Sequence, residues 1–183
     1  MKNIPHHWYA LITRSRFEKK AADDLTGKGI TAFLPMTTEF RKWSDRMKKV
    51  KVPLIRSYVF AKTNPSDYHH YQLVLHTVGV VRIVSFEGKP AKVPDNQIEA
   101  LQRLTEMGFT LQVETGNLPP GTPVEISRGI LKGIKGKVIR TGKMHLLVIR
   151  LDIADKNIQV TLPQELVEEL KDEPGLAIRN AVN

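Results

Sequence analysis

Between Arg41 and Lys51 the chain places Arg41, Lys42, Arg46, Lys48, Lys49 and Lys51 within eleven residues, opposed by Asp45, with Trp43 among them. Ammonium and guanidinium groups bind phosphate oxygens, and an indole stacks on an unpaired base or against a duplex end. The set therefore suits a nucleic acid. A solvated hairpin using the same charges to blunt edge pairing is the bland alternative. The whole chain tilts the balance: 28 Lys+Arg against 19 Asp+Glu give a net charge of +9 over 183 residues, which favours a polyanionic partner.

Two further cations, Arg14 and Arg16, follow an apolar run. Arginine can hold a guanine edge with two parallel hydrogen bonds, so base reading is chemically open to them. Cations at a helix start gain nothing from the helix dipole, which weighs against a purely structural role. Phe17 could stack on a base, but its spacing with Ala21 and Leu25 points inward. His69 and His70 are adjacent. Neighbouring helix positions do not converge on one ion and no cysteine completes a shell, so no metal site is expected.

Catalytic chemistry finds no footing. There is no cysteine, which removes thiolate nucleophiles and disulfides and fits a reducing cytoplasm. Gly133-Ile134-Lys135-Gly136-Lys137 has neither the spacing nor the hydroxyl of a phosphate-cradling loop. Asp23-Asp24 and Glu168-Glu169 read as solvated charges on helices. No apolar run reaches membrane-spanning length, and the N-terminus has no signal-peptide apolar segment. The expectation is a binding factor, not an enzyme, needing no cofactor and no metal.

The elements that would carry these residues follow from periodicity. Trp8 to Thr13 reads as a buried strand; Phe17, Ala21 and Leu25 mark a helix ending at Gly27 or Gly29; Ile30 to Leu34 is a second strand. Thr37 to Arg41 and Lys48 to Val52 form the arms of a hairpin with Trp43 to Arg46 at its tip, and Ser57 to Ala61 is a further strand. Asn64 caps a second helix with Pro65 in its first turn and Tyr68, Tyr71 and Leu75 on its apolar stripe. Val78 to Phe86 is a strand, and Asp95 opens a third helix carrying Ile98, Leu101 and Leu104. The order βαβββαβα predicts an α+β domain, an antiparallel sheet flanked by helices.

Gly116, Asn117, Pro119, Pro120, Gly121 and Pro123 then read as a domain linker. Beyond it, Val124 to Ile126, Lys137 to Arg140, Leu146 to Leu151 and Ile158 to Leu162 read as strands, with glycines at 129, 133 and 136 shaping a basic loop between the first two. Valine, isoleucine and glycine dominate, so a permanent small barrel is expected. The division is 1–107, a linker at 108–120, a barrel over 121–170 and a patternless tail at 171–183.

The stretch GTPVEISRGILKGIKGKV at 121–138 resembles a KOW motif, the core of an SH3-like barrel. Upstream, Trp8-Tyr9-Ala10-Leu11, Pro53-Leu54 with Tyr58-Val59-Phe60, and Gly79-Val80 leading to Phe86-Glu87-Gly88-Lys89-Pro90 and Val93-Pro94 resemble the NGN domain of the NusG family of transcription elongation factors. The long basic hairpin and short linker look most like the RfaH and UpxY-type branches, antitermination factors of capsular polysaccharide operons.

The resemblance implies function residue by residue. Ile12, Ile55, Ile98 and Leu101 fall where the family docks on the clamp helices of the largest RNA polymerase subunit; read without it, all four suit an ordinary core. Arg41, Lys42, Trp43, Arg46, Lys48 and Lys49 fall on the hairpin that approaches the upstream edge of the transcription bubble, and Arg14 and Arg16 where RfaH-like members read the non-template strand. His70, Tyr71 and Gln72 occupy the place of a polar triplet that touches the β-subunit gate loop, although two of the three residues differ. Leu131 and Ile134 sit in the loop that contacts ribosomal protein S10 or Rho in NusG, which carries aromatics there. The implied protein is a cytoplasmic, monomeric antitermination factor; a ribosome- or RNA-binding KOW protein is the alternative.

Overall fold

The computed structural model describes residues 5–108, 111–115, 122–125, 135–141, 144–151 and 156–162. Two compact units divide the chain, Met1–Ile98 and Glu99–Asn183.

The first unit is built on β1 (His7–Thr13), which is nearly all buried. Helix α1 (Glu18–Gly27) follows and ends in a Schellman motif: Ile30 N–H donates to Leu25 O at 3.0 Å and Gly29 N–H to Thr26 O at 3.0 Å. Gly29 has φ +77° there, a conformation that side chains resist. Then come β2 (Thr31–Phe33), the hairpin strands β3 (Met36–Trp43) and β4 (Arg46–Pro53), and β5 (Tyr58–Thr63). Helix α2 (Tyr68–Leu75) precedes β6 (Val80–Ile83); β7 (Ser85–Phe86) and β8 (Lys89–Pro90) make a two-residue hairpin, and β9 (Lys92–Val93) leads into α3 (Asp95–Glu106).

The sheet order is β2-β5-β1-β6, antiparallel throughout, with β9 also paired to β1. Alternation along the strands divides its two faces. Tyr9, Leu11, Val59, Ala61 and Ile83 turn toward Ala21 and Leu25 of α1 and Val74 of α2, forming the main core. Trp8, Ala10 and Phe60 are buried on the other face, where the Phe33 and Phe60 rings stack at 6.2 Å. An α+β sheet with helices was expected, and the family-implied NGN-type unit has this make-up. Each large aliphatic in such a core contributes on the order of 2 kcal/mol.

Three local expectations change. Asn64 does not cap α2. Its side chain accepts from Ser66 N–H in a preceding turn, and Asp67 is the cap, accepting from His70 N–H at 3.0 Å. Tyr68 lies off the apolar stripe and is 78% exposed, whereas Tyr71 packs on the core and Val74 is fully buried. Asp24 is no free surface charge. It accepts from Val78 N–H at 2.8 Å and pairs with Lys28 at 3.0 Å, while Lys28 also donates to His76 O and Thr77 Oγ1, clipping α1 to the end of α2.

These carboxylates make stability pH-dependent. The hydrogen bond from Val78 N–H and then Lys28 hold Asp24 below the ordinary carboxyl value, and the bond from His70 N–H does the same for Asp67. A lowered folded pKa stabilises above the unfolded value and is lost as pH falls through the folded one. Denaturant midpoints measured from pH 6 downward will therefore drop below about pH 4, and Asp24→Asn with Asp67→Asn will flatten that drop.

The second unit is a five-stranded antiparallel sheet, order β10-β14-β13-β12-β11, from β10 (Leu111–Thr115), β11 (Thr122–Glu125), β12 (Lys135–Thr141), β13 (Met144–Leu151) and β14 (Lys156–Leu162). Four of these strands were expected. The first overturns part of the linker: Leu111–Thr115 pairs with Lys156–Leu162 through the whole of its length. Leu111 opposite Val160 and Val113 opposite Ile158 share one face, and Leu111, Ile158 and Val160 are buried. The loop residues Leu131 and Ile134, Glu168-Glu169 and the 171–183 tail lie outside the described residues.

Candidate nucleic-acid interface and docking face

The basic cluster folds as a two-stranded ribbon whose ladder runs from Met36 opposite Pro53 to Trp43 opposite Arg46, turning on Ser44 and Asp45. It is longer than expected by one residue or more at each strand end. Every residue from Arg41 to Lys49 is exposed. Because opposed residues share a face, Arg41, Trp43, Arg46 and Lys48 stand on one side, and Phe40, Lys42, Met47 and Lys49 on the other. Lys48 Nζ lies 5.0 Å from the Trp43 ring centre and Lys49 Nζ 5.5 Å from that of Phe40. Glu39 accepts from Arg41 at 3.2 Å and lies 3.6 Å from Arg56. Among the described residues, Lys42, Arg46, Lys48, Lys49 and Lys51 form no ion pair, so five cations stay available to an external anion.

Phe40 and Met47 were missed from sequence. They are 63% and 61% exposed, compared with 56% for Trp43. Alternation within a charged hairpin was the available signal: an aromatic and a methionine directly beside lysines in a stretch charged on both sides.

Arg14 and Arg16 are exposed in a tight turn after β1. Arg14 N–H donates to Gly79 O at 2.8 Å, Phe17 N–H to Arg14 O at 3.1 Å, and Arg16 itself has φ +68°. Gly79, at φ +84°, lets Phe17 pass so closely that an added Cβ would lie 2.5 Å from the Phe17 Cβ. The half-buried Phe17 thus packs on backbone, consistent with its helical spacing. Thr13 N–H donates to Ser57 O at 2.9 Å, and Ser57 N–H donates to the buried Glu18 carboxylate at 2.7 Å. Glu18 fixes the 53–57 loop to the same turn, a role that its sequence position did not reveal.

The four apolar docking candidates part company. Ile55 is 2% exposed, and Ile98 and Leu101 are wholly enclosed. They act as core, as their apolar character dictates, and present no surface to a partner. Only Ile12 is half-open. It lies opposite Tyr58 on β5 and Arg82 on β6, so the row Tyr58–Ile12–Arg82 crosses three strands on one face. From sequence Tyr58 stood only as part of a strand motif, and neither it nor Arg82 was read as a contact residue.

The 70–72 triplet is likewise divided. Tyr71 packs against the core, while His70 and Gln72 are half-buried. The His70 ring meets His6 edge-on at 4.8 Å, and its Nδ1 lies 3.6 Å from Asp67. Among the described residues no group of three His, Cys, Asp or Glu side chains is placed to hold a metal ion, and no helix is long and apolar enough to cross a membrane.

No curated protein matches the chain. Of solved structures, it is similar to Thermotoga maritima NusG at 20% identity, covering 87% of this chain and 94% of that one with a TM-score of 0.49. It is also similar to an MjSpt4:Spt5 complex at 20% identity, covering 86% and 94% with a TM-score of 0.30; overlays at these scores carry no weight for function. The family match is of another kind, because it runs over residues 6–102, from β1 through the ribbon and into α3, more than half of the 183 residues. The chain belongs to the family described as transcription termination factor NusG.

Proposed function

We propose that this protein is an antitermination factor of the RfaH and UpxY type, acting on transcribing RNA polymerase at particular operons such as those for capsular polysaccharide. The row Tyr58–Ile12–Arg82 carries the reading, since it sets a half-open apolar centre beside an exposed cation on the sheet face that also buries Trp8, Ala10 and Phe60. Such a row suits an amphipathic helix with an acidic flank, as the clamp helices of the polymerase would provide. Ile55, Ile98 and Leu101 are enclosed and serve as core instead of contact. His70 and Gln72 meet the β-subunit gate loop, and Tyr71 fixes the helix that carries them.

The ribbon holds upstream DNA through Arg41, Lys42, Trp43, Arg46, Lys48 and Lys49, while Arg14 and Arg16 meet the non-template strand. Bridging the polymerase cleft in this way favours the closed, elongating state over the paused one, which is preferential binding to one state of two. The second unit acts as a KOW barrel whose Leu131–Ile134 loop takes up ribosomal protein S10 or Rho. The protein works as a cytoplasmic monomer without a cofactor.

Ile12→Asp tests the docking face. A charge on this half-open row leaves folding largely intact and reduces binding to elongation complexes by about tenfold or more, together with read-through of a terminator. Full binding by a folded Ile12→Asp protein would overturn the docking assignment.

A further inference from the structure

From Phe40 to Lys49 the ribbon is exposed on both sides, and each side carries its own ring-and-ammonium pair: Trp43 with Lys48 on one, Phe40 with Lys49 on the other. A charged hairpin that served only to stay in solution would have no need of an aromatic ring more than half exposed on each side. One run of stacked bases cannot use both rings, because they point away from each other through the thickness of the ribbon. A duplex lying along one side would leave the other ring and its lysines in water. Lys42, Lys49 and Lys51 charge the Phe40 side, and Arg41, Arg46 and Lys48 the Trp43 side, so both attract phosphates.

We propose that the ribbon is a two-sided wedge for forked DNA, with one separated strand on each face, a base stacked on Trp43 on one side and on Phe40 on the other. Met47, diagonal to Phe40 and directly opposite Lys42, extends the apolar platform of the second face. The inference rests on the reading of the ribbon as a DNA-binding element and adds Phe40 and Met47 to it. It also names the DNA form preferred: a junction over either a closed duplex or a lone strand.

The test is direct titration of the full chain, without polymerase, against three dye-labelled DNAs of shared sequence: a fork with two unpaired arms, the blunt duplex and one single strand. Variants are Phe40→Leu and Trp43→Leu, both at exposed positions and checked by circular dichroism. Trp43 is the exposed tryptophan, Trp8 being buried, so its quenching reports contact independently. Wild type will bind the fork tightest. Phe40→Leu will lose about tenfold on the fork, the scale of one lost base stack, and little on the single strand, which Trp43→Leu weakens as well. If wild type prefers the duplex or the single strand, or if Phe40→Leu binds the fork unchanged, the wedge is wrong while the ribbon's DNA role stands. If none of the three DNAs binds and Trp43 is not quenched, the DNA role of the ribbon fails with it.

Discussion

Ile55→Asp will abolish cooperative folding of the first unit at ordinary temperatures. The residue is 2% exposed, between the buried Leu54 and the loop that Glu18 ties down through Ser57. Truncating a buried isoleucine costs about 2–5 kcal/mol through lost transfer energy and the cavity left behind. A carboxylate there must also be desolvated or protonated, adding on the order of a few kcal/mol. A unit of this size has roughly 5–15 kcal/mol in total, and each kcal/mol shifts its melting by about 4–8 °C. Thermal unfolding followed by circular dichroism will show a broad transition or none. A wild-type melting curve would mean that Ile55 faces solvent, and would return it to the docking surface. The contrast with Ile12→Asp matters for any binding experiment. Loss of polymerase binding by Ile55→Asp would report unfolding, whereas the same loss by Ile12→Asp, on a half-open row, would report docking.

The second large effect concerns the ribbon. Changing Arg41, Arg46, Lys48 and Lys49 to glutamine will weaken DNA binding on the order of 100-fold at moderate salt. The dependence of log affinity on log salt will become shallower by about 3–4, since each neutralised phosphate contributes close to 0.9. All four side chains are exposed, so the fold is retained. Trp43→Leu makes the separating comparison, because it removes stacking and leaves the salt slope in place. The checking measurement is a salt titration of affinity for wild type and the two variants side by side. An unchanged slope in the quadruple variant would show that the ribbon's cations do not touch phosphate, which would remove the DNA half of the proposed function. Arg41 is expected to contribute least of the four, because Glu39 already holds it at 3.2 Å.

Much of the architecture was legible because it is written in periodicity. Phe17, Ala21 and Leu25 recur every fourth residue along the cap and one side of α1; Ile98, Leu101 and Leu104 recur every third on α3, and the unbroken apolar run opening at Trp8 gives β1. The ribbon was legible for a different reason, since a strand pattern densely charged on both sides cannot be buried. Caps and short pairings were harder to read. Asn64 and Asp67 are both good capping residues three positions apart, and only the bond from His70 N–H distinguishes them. The strand at Leu111–Thr115 sits beside a Pro/Gly-rich run whose composition masked it, and its partner lies more than forty residues away.

For the candidate site, sequence determined which side chains exist and their chemistry: a cationic cluster with an indole, two arginines after the first strand, and four aliphatics at the positions the resemblance singles out. It could not determine which of those aliphatics meet solvent, because isoleucine at a docking surface and isoleucine in a core are the same residue. The tertiary structure decided that by enclosing Ile55, Ile98 and Leu101 and leaving Ile12 half-open between Tyr58 and Arg82. It also decided that Phe40 and Trp43 face opposite ways, since strand pairing, and not spacing along the chain alone, assigns each ring the ammonium beside it. Burial and cross-strand register arise from contacts distant in sequence, so they belong to the folded chain.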